Sequence, residues 1–205
     1  MGQATETTLA QLLLEAIAGQ HVALGPLLEG YRHYLTILAR VQLDRALQVK
    51  LGASDIVQET FLEAHRDFPH FRGQSVPEFL GWLRQILARN LANQVRRYRQ
   101  TRSRDIRLEQ SIVESLGHSS EHMAATLPAA GLSPVQFAVR DEAAVILANA
   151  LGQLPPDYRD VLVYRNLEEL TFPEVAERMN RSVDSVKKLW VRGLVQLKGL
   201  LPKTL

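Results

Sequence analysis

Eight arginines and a single aspartate fall between residues 84 and 107 of this chain, a local net charge of +7. A second basic stretch, residues 171–205, carries seven Lys/Arg against three acids. Cations gathered on one element suit a polyanion, and two such blocks suit two contacts on it. Their side chains could neutralise phosphates, and a bidentate arginine could read a guanine edge. The plainer reading of either block alone is a solvated helix face; two together weaken it. Each follows an acidic block, because residues 1–83 and 137–170 each carry a net −3 and residues 108–136 hold three Glu with no Lys or Arg.

Other chemistry finds little support. No cysteine is present, which rules out a disulfide scaffold, a Cys-ligated zinc finger and a cysteine nucleophile. Neither G-x-G-x-x-G nor G-x-x-x-x-G-K occurs. His118 and His122 have the i,i+4 spacing of a metal pair but lack a clear third ligand. No close carboxylate cluster or Ser/His/Asp arrangement appears. The expectation is therefore a protein with no catalytic residue, metal or cofactor, and not an enzyme.

Hydrophobic residues make up 46% of the 205 and charged residues 22%, values of an ordinary globular chain. The longest apolar runs fall far short of the roughly 20 residues that span a bilayer, so no membrane insertion is expected. The N-terminus lacks the basic start and long apolar stretch of a secretory signal. A soluble protein of a reducing cytoplasm fits these features.

The elements that must position the cations read as helices. Apolar spacing marks a first helix from Leu9 and a second from Pro26 to about Leu47. A third opens at Ser54 as N-cap and runs to about Phe68, with Val57, Phe61, Ala64 and Phe68 inward. Asp55, Gln58, Glu59, Leu62 and Arg66 fall on its other side. A fourth begins at the capping box Ser75–Glu78 and runs to about Thr101. Its buried stripe is Phe79, Leu83, Ile86, Leu87, Leu91, Val95 and Tyr98, and Gln85, Arg89, Asn93, Arg96 and Arg97 lie on or beside the opposite face. Nothing alternates with period two, so no strand is expected.

From Leu108 to Gln136 the chain mixes Ser, His, Ala, Gly and Pro, with breakers at Gly117, Pro128, Gly131 and Pro134. It reads as a flexible linker, partly ordered at most. The expected organisation is all-α: a helical unit over 1–107, the linker over 108–136, and a second helical unit over 137–205. In that second unit a helix over Phe137–Leu151 is followed by a Pro155-Pro156 turn into another that ends near Leu170. Thr171 to Met179 then forms a short helix with a Thr-x-x-Glu box, and Asn180 suits a left-handed turn. Ser182 caps a longer helix from Val183 to about Leu201, with Val186, Trp190, Leu194, Leu197 and Leu201 inward. Asp184, Ser185, Lys188 and Arg192 occupy its outer face with Lys187 beside them. Short helix, tight turn and longer basic helix make a helix-turn-helix.

These pieces, in this order, resemble bacterial RNA polymerase sigma factors of the small extracytoplasmic-function class, over roughly residues 10–105 and 137–201. Asp55-Ile56-Val57-Gln58-Glu59-Thr60-Phe61-Leu62 is similar to the segment that docks on the clamp helices of the polymerase β′ subunit. The resemblance implies core-binding roles for Asp55, Gln58, Glu59 and Leu62. The run from Trp82 to Arg97 is similar to the segment that reads and melts the promoter −10 element, which implies roles for Trp82, Arg89, Asn90, Asn93, Arg96 and Arg97. Leu154 through Leu201 resembles region four, whose helix-turn-helix reads the −35 element, which implies Ser182, Asp184, Ser185, Lys187, Lys188 and Arg192. The partners so implied are core RNA polymerase (β′ clamp helices and β flap), promoter DNA and an anti-sigma factor. Asn93, Asn180 and Leu189 depart from the common Asp, Gly and Arg, and the last removes a cation from the recognition helix.

Bland readings stand beside these. Trp82 and Tyr98 can stack on unpaired bases, but Tyr98 lies on the buried stripe and Trp82 at its edge. Trp190 reads as core. Arg89, Arg96 and Arg97 have few acids nearby in sequence, which favours DNA contacts. Promoter elements about 17 base pairs apart lie roughly 60 Å from each other. A 29-residue linker reaches about 95 Å extended but relaxes to about 30 Å as a coil, so a scaffold such as core polymerase must hold the units on both. A freestanding helix-turn-helix regulator with an N-terminal sensor or dimerisation unit is the alternative.

Overall fold

The computed structural model describes residues 8–43, 52–98, 106–129 and 140–202, and every regular element among them is helical. Helix α1 (Leu9–Ile17) is capped by Thr8, whose hydroxyl accepts from the Gln11 N–H, and turns Leu13 and Ala16 inward. A single 3₁₀ turn leads to α2 (Leu24–Gly30) and α3 (Arg32–Gln42). The one helix expected from Pro26 is thus two, broken at Tyr31. Gly30 sits so close to α1 that a Cβ there would lie 2.2 Å from a Leu9 methyl. Its expected end near Leu47 lies outside the described residues.

Helix α4 (Ala53–Asp67) follows Gly52, so Ser54 lies in the first turn and is not the cap. Ile56, Val57, Thr60, Phe61 and Ala64 are buried, and Phe68 continues that face in a 3₁₀ turn. Helix α5 (Val76–Tyr98) lies against α4. Its start has the carboxylate half of the expected box: the Glu78 carboxylate accepts from the Ser75 hydroxyl and from the backbone N–H groups of Ser75 and Gln74. The Ser75 hydroxyl first, then the Gln74 amide, hold that carboxyl below its ordinary value. Phe79, Leu83, Ile86, Leu87 and Leu91 are buried as expected, but Tyr98 is 42% exposed.

The expectation of a flexible stretch over 108–136 is corrected here for residues 108–129. Residues Ile106–Ala129 form helix α6, which packs on α3, α5 and the helix that follows. Leu116, Ser120 and Met123, three to four residues apart, are buried on one face, with Ile112 and Val113 packed beside them. Tertiary burial of that face outweighs the roughly 1 kcal/mol cost of Gly117 inside a helix. Pro128 falls in the last turn; residues 130–139 lie outside the described set.

The second unit has α7 (Arg140–Gln153), α8 (Pro156–Leu162), a π turn over Val163–Leu167, α9 (Phe172–Met179) and α10 (Val183–Leu200). The expected start of α7 at Phe137 lies outside the described residues. Ala143, Ala144, Val145, Leu147, Ala148, Ala150 and Leu151 are all buried, because α3, α6 and α10 surround α7. A helix apolar nearly all round is one packed on several sides. The core is accordingly continuous from α1 to α10.

Polar bonds also cross between the units. The Arg84 guanidinium of α5 grips Asp141 of α7 with two bonds of 2.7 and 3.2 Å and donates to the Tyr34 hydroxyl at 2.9 Å. Tyr34 donates to Ser120, which donates to Asp141, both at 3.0 Å. Burial opposes the charge of Arg84, but the bond to Asp141 and the contact with Tyr34 outweigh it and raise its pKa. Arg40 of α3 pairs with Asp160 of α8 at 2.8 Å and stacks over Tyr164.

Candidate nucleic-acid and docking surfaces

Helix α4 sorts its residues cleanly. Val57 and Phe61 are buried, whereas Asp55 and Gln58 stand in solvent and Leu62 is 67% exposed. Glu59 is half-buried at the edge and accepts from the Gln94 amide at 3.2 Å. These four residues share one side of α4. An exposed leucine ringed by acidic and amide groups can bury apolar area against a partner while the rim fixes register.

Helix α5 brings only some of its expected residues to the surface. Arg97 is exposed in the last turn. Asn93 is half-buried, and its side-chain oxygen accepts from Arg96. Trp82 is half-buried in an aromatic cluster, with ring centroids 5.1 Å from Phe71, 5.7 Å from Phe79 and 6.2 Å from Phe68. Asn90 is a correction: it is buried between α4 and α5, donating to the Thr60 hydroxyl at 3.2 Å. Meeting DNA would require parting those helices, so Asn90 is a packing residue. Arg89 is a second correction, since it does have acids to hand. It pairs with Glu63 at 2.8 Å and lies 3.9 Å from Asp67. Those acids sit at the end of the antiparallel neighbour, where sequence proximity gives no warning. Arg96 lies 3.8 Å from Glu109 of α6.

The helix-turn-helix is built as its local signals dictate. The Thr171 hydroxyl accepts from the Glu174 N–H, and Glu174 accepts from the Thr171 N–H at 2.7 Å. Thr171, through its hydroxyl and then its amide, holds the Glu174 carboxyl below its ordinary value. Asn180 ends α9 in the left-handed region, at φ 52 and ψ 49, a conformation a short polar side chain tolerates. Ser182 caps α10, its hydroxyl accepting from the Ser185 N–H at 3.3 Å. Val186 and Leu197 are buried and Leu194 partly so. Trp190 is half-buried as well: its indole N–H donates to Asn166 at 2.9 Å and its ring meets Phe172 edge-on.

Outward from that core, Ser182, Asp184, Lys187, Lys188 and Arg192 are exposed and Ser185 is half-buried. Lys187 leans over Phe172, its ammonium 6.0 Å from the ring centre. The outer face of α10 is thus free to enter a major groove, where such a helix presents its first turns to base edges. Sequence reasoning missed Arg84 and Arg40 as contacts between the units, because their partners Asp141 and Asp160 lie 57 and 120 residues further along the chain.

His122 meets the Asn166 carbonyl at 2.8 Å and Glu169 at 3.8 Å. Among the described residues no helix is long and apolar enough to cross a membrane.

Comparison with known proteins agrees with this geometry. The family described as Sigma-70 region 2 matches residues 31–101, and Sigma-70, region 4 matches residues 144–197. RNA polymerase sigma-H factor of Pseudomonas aeruginosa is 29% identical over 136 residues, 66% of this chain and 65% of that one, so the match spans just under two thirds of that relative. ECF RNA polymerase sigma factor SigD of Mycobacterium tuberculosis is 26% identical over 190 residues, 91% of this chain and 81% of that one. ECF RNA polymerase sigma-E factor of Salmonella typhimurium is 27% identical over 180 residues, 86% of each. The chain belongs to the sigma-70 family, in its extracytoplasmic-function class, as an RNA polymerase sigma factor that directs the polymerase to promoters.

Proposed function

We propose that the chain docks on the β′ clamp helices of core polymerase through Asp55, Gln58, Glu59 and Leu62, with region four on the β flap. Ser182, Asp184, Ser185, Lys187, Lys188 and Arg192 read the −35 element in intact duplex. Asn93, Arg96 and Arg97, with Trp82 behind them, act at the −10 element where the strands part. The chain does no covalent chemistry: it places the polymerase and helps open DNA, so it works in the cytoplasm with both. Residues up to 107 form the −10 unit and residues from 137 the −35 unit, and an anti-sigma factor is a further partner.

The observation that carries this reading is the exposure of Leu62 on the polar side of α4, opposite a fully formed core. A freestanding regulator has no use for that apolar spot. Incubation with purified core polymerase tests it. Stable capture, with promoter-directed transcription from the assembled enzyme, is expected; a chain that binds a specific duplex tightly alone and ignores core is a regulator instead.

A further inference from the structure

Helix α10 lies tight on α8 at Gly193, where a Cβ would be 3.3 Å from the Leu162 side chain and 3.4 Å from the Tyr158 carbonyl oxygen. At about 3.6 residues per turn, a position two residues away points to nearly the opposite side. Val191 is accordingly 53% exposed. It stands next to Arg192 and one turn past Lys188, inside the set of residues proposed above for the −35 duplex. Val195 is also exposed, one turn beyond Val191 and past the last member of that set. A lone apolar side chain in solvent is ordinary. A valine between two cations on a face that meets duplex DNA is not, because it is buried against whatever the groove floor presents. Lys188 and Arg192 find acceptors on phosphates and on guanine edges, none of which suits a valine. Among the base edges of the major groove only thymine carries an apolar group, its C5 methyl.

We propose that Val191 is a specificity residue that reads one thymine of the −35 element by covering its C5 methyl, beside the base pairs that Lys188 and Arg192 meet. The proposal rests on the reading of α10 as the −35 helix. Apolar contact removes both groups from water, and any other base at that place offers no methyl to cover. The contact carries no charge. It therefore adds discrimination without adding to the sequence-independent attraction of the two cations for phosphate.

The test uses the holoenzyme assembled from the full chain and core polymerase. It first selects its −35 element from randomised duplexes, and each thymine of that element is then replaced in turn by deoxyuridine, which removes the methyl alone. At one thymine the wild-type holoenzyme should lose about three- to fivefold in duplex affinity. Val191→Ala, a change at an exposed position, should bind the thymine duplex more weakly by a similar factor and no longer distinguish thymine from deoxyuridine there. The slope of its affinity against salt should match the wild type, because no phosphate contact is lost. Val195→Ala should keep the full distinction. A selected element without thymine, a deoxyuridine penalty that survives Val191→Ala, a shallower salt slope, or the same loss of distinction in Val195→Ala would overturn the assignment. The underlying reading is judged separately by Lys188→Ala with Arg192→Ala. Unchanged duplex affinity in that double variant would remove α10 from the −35 element altogether. A weakened duplex together with equal deoxyuridine penalties in wild type and Val191→Ala would overturn the role of Val191 alone.

Discussion

Arg89 of α5 and Glu63 of α4 pair at 2.8 Å across the seam between those helices, with Asp67 3.9 Å from the same guanidinium. The pair is half-buried, and Arg89 Nε and Glu63 Oε2 are buried without further partners. Truncating one side leaves a charge in a poor place, which costs more than the pair contributes. Arg89→Ala should therefore lower stability by about 1–3 kcal/mol in thermal melts. DNA affinity of the folded holoenzyme should hold within about twofold; a tenfold loss of affinity with an unchanged melt would return Arg89 to the DNA surface.

Two exposed capping glutamates set an acid limb. Glu78 is held below its ordinary value by the Ser75 hydroxyl and the Gln74 amide, and Glu174 by the hydroxyl and amide of Thr171. A carboxyl whose folded value is depressed binds protons more readily in the unfolded chain. Its contribution is present above the ordinary value of 4.5 and lost as pH falls through the folded one. Denaturation series from pH 7 downward should show stability falling below about pH 4.5. Glu78→Gln and Glu174→Gln should each flatten that fall; unchanged curves would mean the caps do not titrate as placed.

Thr171→Ala removes the hydroxyl half of the second box together with the hydroxyl's bond to the Glu174 carboxylate, and leaves only that carboxylate's bond to the backbone N–H of residue 171. The expected cost is about 1 kcal/mol, as for other lost caps. Because α9 supports the turn at Asn180, the loss should be accompanied by weaker binding of the −35 duplex by the holoenzyme. Full duplex affinity in the destabilised variant would show that α10 is positioned by its own packing alone.

Docking is separable from folding. Leu62 is exposed, so Leu62→Asp should alter the melt by less than about 0.5 kcal/mol. Capture by core polymerase should fall at least tenfold, about 1.4 kcal/mol or more. Glu59→Lys should weaken capture too, with a small folding cost because Gln94 loses its acceptor. Normal assembly by both variants would move the core-binding surface off α4.

The helix-turn-helix was legible because each of its signals is local. Thr171, Glu174, Asn180 and Ser182 act within four residues of themselves, so no knowledge of the rest of the fold is needed. Helix α6 was not legible, although Ile112, Leu116 and Met123 already keep helical spacing. Gly117, Pro128 and the missing cations spoke for a linker, and only packing against α3, α5 and α7 decides otherwise. Arg89 failed for the complementary reason. Its acids belong to α4, and the antiparallel register that brings them close is a tertiary fact. Tyr98 continued the stripe into the last turn of α5, where it is 42% exposed.

The two basic surfaces should fail in different ways. Lys188 and Arg192 are exposed on the outer face of α10, and on the proposed reading they reach bases in an intact major groove. If either reads a guanine edge, its loss should cost about 1–3 kcal/mol and relax specificity at that base pair. Asn93 and Arg97 lie on the late turns of α5 and are proposed above to act where the strands separate. Trp82 is a poor probe, because its ring is part of the cluster with Phe68, Phe71 and Phe79 and truncation would disturb folding. Permanganate reactivity of unpaired thymines, on a promoter selected with the holoenzyme and on the same promoter carrying an artificial bubble, separates the roles. Arg192→Ala should fail on duplex and recover on the bubble, since its step precedes melting. Asn93→Ala and Arg97→Ala should leave duplex binding near normal, open slowly, and hold the bubble poorly because the exposed strand has lost its contacts. Identical behaviour of all three variants on both templates would refute the division of labour between α5 and α10.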